Sequence, residues 1–175
     1  MPRMNKYFRS ASSVISCAIL VFAIAGPGSA IAAEDTAQAT GTVIAPIQIT
    51  KTADLVFGSF APGAAGGTVT ISTGGARGKS GDVVLAGTTA AAAKFNVTGE
   101  GGMTYSITLT PTSLLRSGGT ETMAFTAESD ITSGLLAGTG GAGTQSFFVG
   151  GVLTVAAGQV PGNYVGSVKA TVAYN

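Results

Sequence analysis

From Asn163 to Tyr174 the side chains alternate almost without interruption. Tyr164, Gly166, Val168, Ala170, Val172 and Tyr174 fall on one side, with Asn163, Ser167, Lys169 and Thr171 among those opposite. Successive side chains of a strand point to opposite faces, so this segment must lay an apolar face on a core and turn its other face to water. The pattern predicts one long β-strand at the end of the chain. Its backbone edge needs a partner, and a second segment carries a matching pattern: Ala37, Ala39, Gly41, Val43, Ala45, Ile47 and Ile49 alternate with mostly polar residues. The alternation by itself allows the two to pair within one molecule or between two.

The first 33 residues read as a secretory signal rather than as fold. Arg3, Lys6 and Arg9 form a basic head, an apolar stretch runs from Val14 to Ala25, and Ala30 and Ala32 give an A-x-A cleavage pattern, with cutting expected after Ala32 or Ala33. The apolar run is shorter than the ~20 residues a bilayer core requires and ends at Gly26-Pro27, so membrane contact is expected only during export. Residues 34–175 are then a single domain with an N-terminal strand at 37–49. Cys17 leaves with the signal, so the exported domain is expected to hold together without disulfides. Six basic residues remain against eight acidic ones, a net charge of −2, and nothing resembles the clustered Lys and Arg that nucleic acid demands.

Short alternating runs separated by glycine-rich turns recur along the chain, which points to an all-β fold. The runs are Leu55–Phe60, Val69 to Ile71, Val83–Leu85, Phe95 to Val97, Tyr105 to Leu109, Met123 to Ala127, Gln145–Val149 and Val152–Val155. Two of them, Phe95–Val97 and Tyr105–Leu109, flank a Gly99–Gly102 turn and read as a hairpin. Gly150-Gly151 reads as a turn between two strands, and Ser129–Gly143 as a surface loop. Roughly eight to ten strands in about 140 residues fit two antiparallel sheets packed face to face, an immunoglobulin-like β-sandwich with Greek-key connections. The expected core is Leu55, Phe57, Val69, Ile71, Phe95, Val97, Tyr105, Ile107, Leu109, Phe125, Leu153, Tyr164, Val168 and Val172.

Reactive side chains are scarce. Histidine is absent and the only cysteine is in the signal, so Ser-His-Asp and Cys-His nucleophiles and His-based metal sites cannot be built; no enzyme, metal or cofactor is expected. Asp54, Asp82, Glu100, Glu121, Glu128 and Asp130 stand singly, in or beside turns, and read as solvated surface charge. Gly138, Gly140 and Gly143 satisfy G-x-G-x-x-G, but the TQSFFVGG that follows reads as strand, so no helix N-terminus is there to hold a pyrophosphate.

Three segments carry a resemblance: PIQITKTADLVFGSFAPGAAGGTVTI (Pro46 to Ile71), AKFNVTGEGGMTYSITL (Ala93 to Leu109) and FFVGGVLTVAAGQVPGNYVGSVKATVAY (Phe147 to Tyr174). Together they resemble the bacterial secreted domain of unknown function 4402 family. More distantly, the LVFGSF opening, the VGG-strand-PGNY-G ending and the final tyrosine are similar to spore coat protein U domains and to the major subunits of archaic chaperone-usher pili. Those pilin-like relatives commonly carry a disulfide, which the exported part of this chain lacks.

The resemblance implies a pilin-like sandwich and a role in surface filaments or coats. In such subunits an extension of the next copy fills a groove left by a missing strand, a form of β-augmentation. Carried onto this sequence, Val43, Ala45, Ile47 and Ile49 would insert, and Tyr164, Val168, Val172 and Tyr174 would line the acceptor. The expectation is a non-enzymatic exported subunit of a fimbria-like assembly in the periplasm, at the outer surface or outside the cell. Its partners would be further copies of itself, with a periplasmic chaperone and an outer-membrane usher. The alternative is a monomeric exported β-sandwich that acts as a binding or adhesion module, its first strand pairing with its own last.

Overall fold

A computed structural model describes residues 31–138 and 141–175. The expected signal lies outside the described residues up to residue 30, as do Cys17 and Gly140. Residues 31–40 are exposed and form no regular element. Residues Gly41–Asn175 form a compact unit.

Every regular element among the described residues is a strand, and every pairing is antiparallel. The largest sheet contains β1 (Gln48–Ala53), β2 (Ser59–Ile71), β3 (Arg77–Ala86), β4 (Ala93–Glu100), β8 (Phe125–Ser129) and β10 (Ala142–Val155). A second sheet holds β5 (Thr104–Pro111), β9 (Ser133–Leu135) and β12 (Val168–Tyr174), and a third holds β6 (Leu114–Arg116), β7 (Thr122–Met123) and β11 (Tyr164–Val165). β4 shows how sequence becomes sheet: Ala93, Phe95, Val97 and Gly99 face the core, while Lys94, Asn96, Thr98 and Glu100 face outward.

The long strand β10 organises the molecule. Its residues 142–149 pair with β4 and its residues 151–155 with β2, while β8 runs along the opposite edge at residues 149–153. On one face of this strand, Phe147 and Val149 are buried with Phe95, Val97, Tyr105 and Leu136, and Leu153 and Val155 are buried with Phe57, Ile71, Val83 and Phe125. The Phe95 and Phe147 rings stack with centroids 5.3 Å apart, and Phe57 meets Phe125 edge to face at 6.0 Å. Inward side chains of β5 and β12, among them Tyr105, Ile107, Val168 and Val172, pack on the β4–β10 end of this seam.

Several expectations change. The first strand is Gln48–Ala53 rather than 37–49, and residues 31–47 pair with nothing as strand. β4 and β5 are not a hairpin: β4 pairs with β1 and β10, whereas β5 pairs with β12 and β9. Each presents its apolar face to the interior from a different sheet, and the Gly101-Gly102 turn, with Gly102 at φ 81°, carries the chain across. Gly150-Gly151 does not turn the chain; β10 passes straight through it with Phe147, Val149, Leu153 and Val155 kept on one face. The Ser129–Gly143 stretch contributes β9 and the fully buried Leu136. The terminal strand is divided at Gly166-Ser167, opposite the point where Pro111 ends β5. Proline has no N–H to donate, and there Thr112 takes over: its N–H donates to the Ser167 carbonyl at 2.8 Å and its hydroxyl accepts from the Ser167 N–H at 3.0 Å.

Candidate functional site

Two strands lie at the margins of their sheets on the same side of the molecule. β1 pairs with β4 along one edge only, and β12 pairs with β5 along one edge only; no strand among the described residues takes the other edge of either. The free edge of β1 continues through Val56, whose N–H and C=O both bond back to Ala91 on the inner side. The free edge of β12 continues back through β11, which bonds to β6. The first and last strands do not pair within one molecule, since β1 does not hydrogen-bond to β12 as a strand pair.

Between the segments that extend these edges, a cavity reaches the core. A cavity of about 900 Å³ has residues 51 and 54–62 on one rim and residues 159–168 on the other. Phe57, Phe95, Met123, Phe125 and Leu153 form its apolar floor. Tyr164 belongs to the rim because its hydroxyl donates to the Val160 carbonyl at 2.7 Å and accepts from Gln159 Nε2 at 2.8 Å, which holds the Pro161-Gly162 turn against it. Beside it, Arg116 Nε donates to Glu121 Oε2 at 2.6 Å. That hydrogen bond holds the Glu121 carboxyl below the usual carboxylate range and raises the Arg116 guanidinium.

Away from the cavity, the chain ahead of β1 is clipped to the end of β12. The Tyr174 hydroxyl donates to the Ala45 carbonyl at 2.8 Å and accepts from the Glu100 N–H at 2.6 Å. The Glu100 carboxylate accepts from the Ala45 N–H at 3.0 Å and from the Gly141 N–H at 3.3 Å. These backbone donors, Ala45 first, lower the Glu100 pKa from its ordinary value, since they bind the charged form. The chain upstream of β1 is thereby fixed at Ala45, next to the last residue of β12, and its exposed part begins just before that point.

The eight residues singled out from the sequence therefore separate into groups. Tyr164 and Val168 line the cavity, and Val172 and Tyr174 lie half-buried on the inner face of β12. Ile47 and Ile49 pack into the chain's own core beneath the β1 wall. Ala45 sits in the clip, and Val43 is 98% exposed. Sequence reasoning missed Glu100, which it read as solvated charge; its partners lie 55 and 41 residues away, so no local pattern marks it. Phe57 and Phe125, expected in the core, are buried there and also line the cavity. Among the described residues no group of three or more His, Cys, Asp or Glu is placed to hold a metal ion.

Fold and cavity together define an all-antiparallel β protein with two unpaired strand edges and a cavity that reaches its buried apolar core. Residues 47–174 match the family described as Domain of unknown function (DUF4402), and the chain belongs to that family. No curated protein and no solved structure matches it.

Proposed function

We propose that the protein is a non-enzymatic, exported structural subunit of a surface or fimbria-like assembly. Its sheets are read as an immunoglobulin-like, pilin-like sandwich lacking one strand, and copies join by β-strand addition. The single observation that carries this reading is the cavity of about 900 Å³ between residues 54–62, which follow the unpaired strand β1, and residues 159–168, which lead into the unpaired strand β12. Soluble monomers generally protect strand edges, because an exposed edge is a template for another chain. An added strand supplies both missing components, backbone hydrogen bonds along the edge and alternate side chains for the floor. The exposed segment ahead of β1 has the alternation to do so and precedes the span that matches the family. Before assembly the unpaired edges need shielding, which on this reading is the role of a periplasmic chaperone, with an outer-membrane usher as the site of assembly.

The test is expression of the full chain in an export-competent bacterium, followed by electrophoresis of unheated samples. Ladders that resist detergent are expected. Val43→Asp should abolish them without altering the melting temperature, since Val43 is 98% exposed in the isolated subunit. Protein that remains monomeric at every concentration overturns the reading. It would favour the second one, an exported monomeric binding module, for which the cavity volume falls in the range of small-molecule sites.

A further inference from the structure

Each side of the cavity presents backbone that pairs in one direction only. On one side, the Ser117 N–H donates to the Asn163 carbonyl at 2.8 Å and the Thr112 N–H to the Ser167 carbonyl at 2.8 Å. Backbone groups of an extended chain alternate in direction, so those of Tyr164, Gly166 and Val168 point away from β6 and β5. All three residues line the cavity, and no strand among the described residues pairs with them on that side. On the other side, Ser59–Pro62 pair with Val83–Ala86, whereas β10 takes the opposite edge of β2 only at Gly67–Ile71. The opposite edge of Ser59–Pro62 is therefore unpaired among the described residues, and this stretch lines the same cavity.

The two sides alternate in step. Phe60 and Leu85 from one, and Leu114, Tyr164 and Val168 from the other, pack on one buried cluster that includes Phe57, Met123 and Phe125. Ala61 and its neighbour Val84, and Val165 and its neighbour Leu115, are exposed instead. The surface is thus apolar on both sides of the cavity, whereas the exposed positions of β12 include Lys169 and Thr171. We infer that the cavity is the place of one strand, and that residues 37–43 of a second copy fill it, bonded to Tyr164–Val168 on one side and to Ser59–Pro62 on the other. This rests on the strand-addition reading above. Pro62 has no N–H to donate, so the longer run of hydrogen bonds falls on the Tyr164–Val168 side. Ala37, Ala39, Gly41 and Val43 turn to the floor, and Gln38, Thr40 and Thr42 lie outward between Val165 and Ala61.

The chain's own residues 37–43 are too close to their tether to take this place. Ala45 is held beside Tyr174, its N–H by the Glu100 carboxylate and its C=O by the Tyr174 hydroxyl. A strand rises about 3.3 Å per residue, so Val168 and Tyr164 lie roughly 20 and 33 Å from Tyr174 along the chain. An extended chain spans at most ~3.6 Å per residue, so from Ala45 the segment covers no more than about 7 Å by Val43 and about 14 Å by Gly41. Within one molecule neither residue reaches Val168. A second copy enters from outside and has no such limit.

Cysteines at outward positions test this in the full, exported chain carrying Cys17→Ser. Ala61→Cys with Val165→Cys leaves the interior untouched, and across two strand spacings, about 9–10 Å, it should form no disulfide in the monomer. Val165→Cys combined in turn with Gln38→Cys, Thr40→Cys or Thr42→Cys should give, for at least one position, disulfide-linked dimers and higher species on non-reducing gels after mild oxidation. Ala61→Cys combined with the same three should do so as well. A disulfide between positions 61 and 165 in the isolated subunit means that the two sides already meet, and overturns the inference. Linkage confined within single chains gives the place to the chain's own segment and overturns it too. Linkage to one side only overturns the two-sided pairing. If nothing links although light scattering finds polymers, the site fails while strand addition survives. If nothing links and the protein stays monomeric, both fail. Melting curves of the reduced variants confirm that each is folded.

Discussion

At the scale of single residues, the clip at the end of β12 joins parts of the chain that the sequence keeps far apart. Tyr174 serves two backbone groups with one hydroxyl, donating to Ala45 and accepting from Glu100. Tyr174→Phe keeps the ring and leaves both groups to water or to nothing, so a loss of about 1 kcal/mol is expected, measured as a lowered urea midpoint with unchanged slope. Glu100 gives the clip a pH dependence. Its folded pKa lies below its ordinary value because the Ala45 and Gly141 N–H groups bind the carboxylate. A depressed carboxyl stabilises the fold above its unfolded pKa, and that contribution disappears as pH falls through the folded value. Glu121, lowered by Arg116, acts in the same direction. Urea midpoints followed from pH 7 down to pH 3 should fall at the acid end, and Glu100→Gln should flatten this limb without abolishing it.

At the scale of elements, β10 explains why the sheet cannot be read as a string of hairpins. It exchanges β4 for β2 on one edge while β8 bridges the exchange on the other. The ends of β4 and β2 meet at Gly150, where a Cβ would collide with the carbonyl oxygen of Ile71. Gly150→Ala must push two strands apart at the centre of the molecule, and a loss of about 1–3 kcal/mol is expected. Equilibrium denaturation checks this; a variant as stable as the parent would mean that the exchange of partners does not depend on close backbone approach. The same junction explains the misread turn, because glycine pairs mark turns more often than crossings. The unbroken parity of Phe147, Val149, Leu153 and Val155 across the pair was the signal that one strand runs through.

At the scale of the whole molecule, the strand-addition reading predicts that the isolated subunit falls short of its full stability. Anything that binds the folded cleft and not the unfolded chain stabilises by mass action, by about 2.7 kcal/mol at a hundredfold excess over Kd. A synthetic peptide with the sequence of residues 34–46 should therefore raise the melting temperature of the Val43→Asp subunit in a concentration-dependent way. The same peptide carrying Val43→Asp should not. Calorimetry would read the effect, and identical curves with both peptides would remove residues 34–46 as the occupant.

The sequence by itself determined the class of fold and most of the core. Alternation is a local property, and Phe57, Val69, Ile71, Phe95, Val97, Tyr105, Phe125 and Leu153 are buried where the period of two put them. It also put Tyr164 and Val168 on the inner face of the last strand, since a half-apolar strand announces that face, and both are half-buried. Pairing is a different matter, because each strand's pattern is compatible with many neighbours. Only the tertiary structure decided that β1 joins β4 and not β12, that β4 and β5 part company at Gly102, and that Ala45, Glu100 and Tyr174 meet. The physical reason is that hydrogen bonds between backbones carry no side-chain signature, so which edge is left unpaired appears only once every other edge has found its partner.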